Sequence, residues 1–258
     1  MKPFFIMEMP LVLLLVVLVI SHNAAGFYVP GVAPTDFRKG DKITVKAIKM
    51  TSSHTQLPYE YYSLPFCPPK EGVQYKTENL GEILRGDRIS NTAYDVEMKV
   101  DYPCRALCGS KESPSRFDAA ASSTLEYRIR SEYFQYFIVD NLPVATVFQI
   151  PDTKEVQYEP GFRLGFVRDG KAYINNHLNL VLKYHFSDDE GAYRVVGFQV
   201  ETHSVSREGM AMEQDGSCHL LDAGKFQEVK KDSANDILFT YSVKWEESPI
   251  RWASRWDM

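Results

Sequence analysis

The chain has 258 residues, 44% of them hydrophobic and 24% charged, with a formal net charge of −5. That is an ordinary globular composition, long enough for one large domain or two small ones. Its acidic balance excludes a grip on nucleic-acid phosphates, which needs a basic surplus. Fifteen Tyr, fifteen Phe and fourteen Pro favour short strands and turns over long helices.

In chain order the first feature is Leu11–Ile20, ten residues without a polar side chain. A helix that crosses a bilayer takes about 20 residues, so this run is too short to span. With Lys2 before it, a polar break at Ser21–Asn23 and small residues at Ala24, Ala25 and Gly26, residues 1–26 fit a secretory signal peptide cleaved to leave Phe27 first. The secretory route makes Cys67, Cys104, Cys108 and Cys218 disulfide candidates before metal ligands or nucleophiles. Four cysteines allow three pairings, and a local Cys104–Cys108 bridge with a long Cys67–Cys218 bridge is the favoured one. No Asn-x-Ser/Thr sequon occurs.

Period-two alternation then marks strands. The apolar faces are Tyr94, Val96, Met98 and Val100; Leu178, Leu180, Leu182, Tyr184 and Phe186; and Ile237, Phe239, Tyr241, Val243 and Trp245. Ile43–Met50, Val144–Ile150, Phe162–Val167 and Tyr193–Ser204 are further candidates. Asp169–Gly170 has the signature of a two-residue hairpin, and Ser187–Ala192 reads as a longer turn. Leu80, Ile83 and Leu84 suggest a short helix ended by Gly86. Leu125, Ile129, Tyr133, Tyr136 and Phe137 form a stripe that predicts a main helix over Ser122–Phe137, capped by Ser122 or Ser123. Arg207–Ala234 reads as a polar excursion anchored by Cys218. The expected fold is therefore mainly β, an antiparallel sandwich of Greek-key or jelly-roll type with one main helix and a short one. Residues 27–247 read as a single domain.

A set of sequence words carries a family likeness: FYVPGVAPTDFRKGD (27–41), LPYEYYSLPFC (57–67), ENLGEILRGDRI (78–89), PCRALC (103–108) and VDNLPVA (139–145). GFRLGF (161–166), YINNHLNLVLKYH (173–185), YRVVGFQV (193–200) and TYSVKWEESPIRWASRWD (240–257) continue it. The ordered set closely resembles the luminal domain of the transmembrane nine family, or nonaspanins. The resemblance implies a domain facing the lumen of Golgi and endosomal membranes, and a role in the trafficking or membrane localisation of other proteins. It also implies membrane helices after residue 257, so the chain's link to a membrane would run through helices that this sequence lacks. Client membrane proteins are the implied partners.

For an enzyme the sequence would need a recognisable nucleophile or metal motif, and neither G-x-S-x-G nor H-E-x-x-H occurs. The expectation is a non-catalytic domain with no cofactor and no metal. His177, His185 and His203 read as strand histidines satisfied by hydrogen bonds, and Asp188, Asp189 and Glu190 as a solvated hairpin tip. Tyr59, Tyr61 and Tyr62 read as an edge of the core, and Gly161–Phe166 as turn-and-strand chemistry. A concave face lined by histidines and acids would instead suit a carbohydrate- or small-ligand-binding jelly roll; a flat or apolar exposed patch would suit a sorting module. Residues 248–258 read as a juxtamembrane segment. If helical, it puts Trp252 and Trp256 on one face and Arg251 and Arg255 on a neighbouring one, the composition of a membrane–water interface.

Overall fold

The computed structural model describes residues 33–75, 88–109, 115–222 and 224–256. The signal-peptide segment and the short helix expected at 80–84 lie outside them. Residues 34–258 form one compact unit.

The strands, in order, begin with β1 (Lys42–Thr51), β2 (Ser90–Glu97), β3 (Tyr102–Cys108) and β4 (Arg116–Phe117), followed by helix α1 (Ala119–Arg130). Next come β5 (Phe134–Val139), β6 (Leu142–Pro143), β7 (Ala145–Gln149), β8 (Val156–Pro160), β9 (Phe162–Arg163), β10 (Gly165–Arg168) and β11 (Lys171–Ile174). The last are β12 (His177–Ser187), β13 (Ala192–His203), β14 (Met210–Met212), β15 (Cys218–Leu220), β16 (Glu228–Val229), β17 (Asn235–Asp236) and β18 (Phe239–Glu247). One sheet runs β2-β1-β5-β6 with β9 also on β5, and the other runs β3-β18-β12-β13-β7-β8. They face each other as a β-sandwich. Val45, Ala47, Val96 and Phe137 of the first meet Leu178, Leu180, Leu182 and Val243 of the second in one buried cluster. Tyr94 stands edge-on to Tyr241 across the gap, with ring centroids 5.3 Å apart. Each such aliphatic or aromatic side chain contributes roughly 1.5–3 kcal/mol by leaving water.

The alternation that marks β2, β12 and β18 matches their burial, Val96, Leu180 and Val243 facing inward. The hairpin at Asp169–Gly170 forms with both residues at positive φ, 51° and 76°, the geometry a tight primed turn requires. Pairing is antiparallel with two exceptions, the larger being β12 beside β18, in parallel register from His177–Thr240 to Tyr184–Glu247. β13 returns to the end of the sheet where β12 begins, so the excursion between β13 and β18 only carries the chain across β12 before β18 runs parallel to it. Asn176 pins both ends of that excursion: its amide nitrogen donates to the carbonyls of Val205 (2.8 Å) and Leu238 (2.7 Å), and its oxygen accepts from the Val205 amide.

Two expectations are corrected. The main helix is Ala119–Arg130, capped by Asp118, whose carboxylate accepts from the Ala121 amide, and not by Ser122 or Ser123. Leu125, Ile129 and Tyr133 are buried as the stripe implies, but the chain leaves the helix at Glu132 (φ 52°) and Phe134–Val139 becomes β5. The i, i+4 pattern ran on by chance into an aromatic, β-branched segment that belongs between β1 and β6. α1 itself lies on β10 and β11.

The favoured disulfide pairing is also overturned. The bridges are Cys67–Cys108 and Cys104–Cys218. Cys104 and Cys108 both lie in β3, and four residues of extended chain span about 13 Å, beyond the reach of a disulfide. Two register shifts against β18 also turn them to different sides. Cys108 enters the core between the sheets, and Cys104 enters a satellite cluster with Val205, Met210, Cys218 and Leu238.

Candidate functional site

The outer face of the six-stranded sheet carries a chain of polar side chains because β12, β13 and β18 place every second residue there. His177 Nδ1 lies 2.7 Å from the Thr240 hydroxyl, and its Nε2 lies 2.8 Å from Asn179 Oδ1, which also accepts from Ser242 (2.6 Å). The amide nitrogen of Asn179 reaches His203 Nε2 at 3.1 Å. With an acceptor at Nε2, the imidazole is the Nε2–H tautomer and accepts from Thr240. Burial pushes the His177 pKa down to about 4; the Asn179 hydrogen bond raises it in part, and His203 nearby lowers it further. Both ring nitrogens are occupied, so His177 is a structural residue and not a poised base. His185 likewise has a partner, the Ser248 carbonyl at 3.0 Å. Glu190 of the acidic tip is engaged by Arg194 at 3.1 Å. Among the described residues no three His, Cys, Asp or Glu side chains converge as a metal set.

Where this face meets β8, β9 and β10 it opens on a cleft of 310 Å³ lined by Glu159, Arg163, Phe166, Asn175, His203 and Phe226, with others. Gly161–Phe166 supplies both core and cleft residues. Phe162 and Leu164 are fully buried, whereas Arg163 and Phe166 line the cleft. A Cβ on Gly165 would stand 2.2 Å from the Tyr173 carbonyl, which explains that glycine by packing. A larger cleft, 710 Å³, lies between the edges of β2 and β3. Tyr61 stacks on Phe66 at 4.5 Å inside the core, and the Tyr62 hydroxyl donates to the Asn91 carbonyl, so the aromatic-proline segment is a core edge.

The C-terminal segment does not form the helix that would put Arg251 and Arg255 on one face. It makes one 3-10 turn, Trp252–Ser254, and Arg255 is buried. Its Nη1 pairs with Asp140 at 2.8 Å and donates to the Val195 carbonyl at 3.1 Å; the two charged side chains are 1% and 7% exposed. Its guanidinium also covers the Trp252 ring, 4.4 Å from the centroid. Asp140 accepts in turn from the Thr35 hydroxyl at 2.9 Å. A buried cation needs a fully paired anion, so Arg255 is spent inside the fold. Arg251 stays exposed, Trp252 is half-buried and Trp256 is 52% exposed. Nothing in the sequence pointed to Asp140 beyond its place in VDNLPVA, where Asp140 and Asn141 both take positive φ.

Trp256 shares an apolar recess with Pro143, Ala145, Tyr158 and Pro160. Beside it the β7–β8 hairpin exposes Phe148, Val156 and Tyr158. The sequence marked β7 as a strand but not this surface.

The endomembrane protein 70 family pattern matches residues 58–258. The chain belongs to that family. Its relatives include transmembrane 9 superfamily member 4 of Rattus norvegicus, 45% identical over 94% of this chain and 40% of that protein. Member 10 from Arabidopsis thaliana is 39% identical over 90% of this chain and 38% of that protein. Member 3 from Saccharomyces cerevisiae is 36% identical over 93% and 33%. The chain thus spans about 40% or less of the length of these endomembrane protein 70 relatives. No solved structure matches it. The family is one of membrane proteins, and among the described residues no helix is long and apolar enough to cross a membrane.

Proposed function

We propose that this domain is the luminal, non-catalytic part of a multispanning Golgi and endosomal membrane protein that assists the trafficking of other membrane proteins, acting by binding. The observation that carries the luminal orientation is the pair of disulfides, each with both half-cystines buried; such bridges persist in oxidising compartments. In this reading residues 1–26 are a signal peptide, and the segment from Ser248 is the approach to the membrane. Arg255 holds that approach against the domain, while Arg251 and Trp256 face outward. Alkylating the protein in intact cells without reductant tests the orientation: four unreactive cysteines are expected, and free thiols would place the domain in the cytosol. Depletion of the full-length protein should lower surface delivery of multispanning clients, and unchanged delivery would remove the sorting role.

A second reading, a carbohydrate- or small-ligand-binding module, is favoured by the cleft at Phe166, where aromatic rings stand beside Arg163, Glu159 and Asn175. Glycan-array binding that Phe166→Ala abolishes would establish it over the sorting module.

A further inference from the structure

Eleven large apolar side chains are exposed among the described residues, and four of them, Phe148, Val156, Tyr158 and Trp256, lie on the β7–β8 hairpin and the C-terminal turn beside it. Their placement follows from register. Val147 pairs with Tyr158, Phe148 with Gln157 and Gln149 with Val156. Directly paired residues share a face, and neighbours along a strand alternate. Tyr158 and Val156 therefore point to one side with Val147, and Phe148 to the other. Tyr158 meets Trp256 at the recess. A hairpin at the edge of a sheet that shows apolar groups on both faces has no single sheet or partner surface it could cover.

We infer that the β7–β8 hairpin and Trp256 together form a surface that dips into the interfacial layer of a lipid bilayer. The inference rests on the membrane-protein reading above. Amphipathic aromatic rings are at home at headgroup depth, and a two-sided apolar hairpin suits a medium that surrounds it. Charge decides between insertion and attraction. The hairpin's loop and second strand carry Asp152, Glu155 and Glu159 against Lys154, and of the two arginines near Trp256 only Arg251 is exposed, Arg255 being held by Asp140. The surface therefore has no basic excess to draw it to anionic lipid. Binding comes from apolar burial, on neutral and anionic membranes alike. The nearest rival, a second copy of the chain, would be expected to cover one face of the hairpin and leave the other wet.

The test uses the whole chain with vesicles of phosphatidylcholine, alone or mixed with phosphatidylserine, read by flotation. The expected result is a bound fraction that is similar on both and insensitive to salt. A Phe148→Ser, Val156→Ser, Tyr158→Ser variant should bind roughly tenfold more weakly, and Leu220→Ser, Leu221→Ser, which removes apolar groups from the distant β15 end, should change nothing. Should the triple variant melt early, Val156→Ser alone, a single change at a side chain that is 53% exposed, carries the comparison at several-fold loss. Three outcomes would overturn the inference: no flotation, flotation only on anionic vesicles, or wild-type dimers that the triple variant dissolves. Binding lost on Trp256→Ala but kept by the triple variant would also sink the hairpin's part, while leaving the C-terminal segment as the membrane approach. The cysteine-reactivity test of orientation stands or falls separately.

Discussion

The core between the two sheets and the satellite cluster beside it are built on opposite economies. The first is an apolar network of more than thirty side chains, with rings of Tyr61, Phe66, Phe117, Phe137 and Phe239 in mutual contact. The second has five buried residues, too few to bury much apolar area, and is held by a disulfide and by the three hydrogen bonds of Asn176. β3 serves both, turning Cys108 to one and Cys104 to the other. Where area is scarce, covalent closure and a buried amide take over the work of packing.

The largest effects should come from the two bridges. Loop closure predicts about 5 kcal/mol for Cys104–Cys218, which closes 114 residues, and about 4 kcal/mol for Cys67–Cys108, which closes 41. Urea unfolding of the two double-alanine variants should show that order. The reverse order would mean that the surroundings of Cys67 and Cys108 in the larger core outweigh chain entropy. Next, Leu180→Ala in the inter-sheet core should cost about 2–5 kcal/mol, and Met210→Ala in the satellite should fall at or below the low end, since fewer neighbours lose contact. Equal costs would erase the distinction between the two regions.

His177 stands at their junction, between Asn176 of the satellite staple and Leu178 of the main core. It titrates near 4 when folded and near 6.5 when unfolded. Above pH 6.5 neither state holds the proton, and between 6.5 and 4 the unfolded chain holds more. Stability should therefore fall as pH drops through that window, by up to about 3 kcal/mol. His177→Gln should flatten the profile in thermal melts, and an unchanged slope would assign the acid sensitivity elsewhere. The smallest effect is expected of Lys183→Ala on the outer face of β12, within about 0.5 kcal/mol of the parent. A cost above that of Leu180→Ala would invert the assignment of inner and outer faces.

The sequence was legible where one physical signal acted alone. Alternation in β2, β12 and β18 reports a single buried face, and Asp169–Gly170 reports a turn that other pairs form poorly. It misled where tertiary pairing competes with local pattern. Tyr133, Tyr136 and Phe137 fit a helical stripe, yet the sheet claims Phe134–Val139. The spacing of Cys104 and Cys108 suggests a local bridge, yet an extended β3 separates them. Of the candidate residues, Trp252, Trp256, Arg251 and Arg255 could be named from composition. That Arg255 would be buried could not, because its partner Asp140 is 115 residues away and no local pattern joins them.

Asp140 also binds Thr35, so the first and last described segments of the fold are fastened to one carboxylate at the β5–β6 turn. A load on the C-terminal segment is shared between that carboxylate, the Val195 carbonyl and the contacts of Ser248 with Tyr184 and His185. The fastening reaches both sheets, because Asp140 follows β5 of one and Val195, whose carbonyl also holds Arg255, lies in β13 of the other.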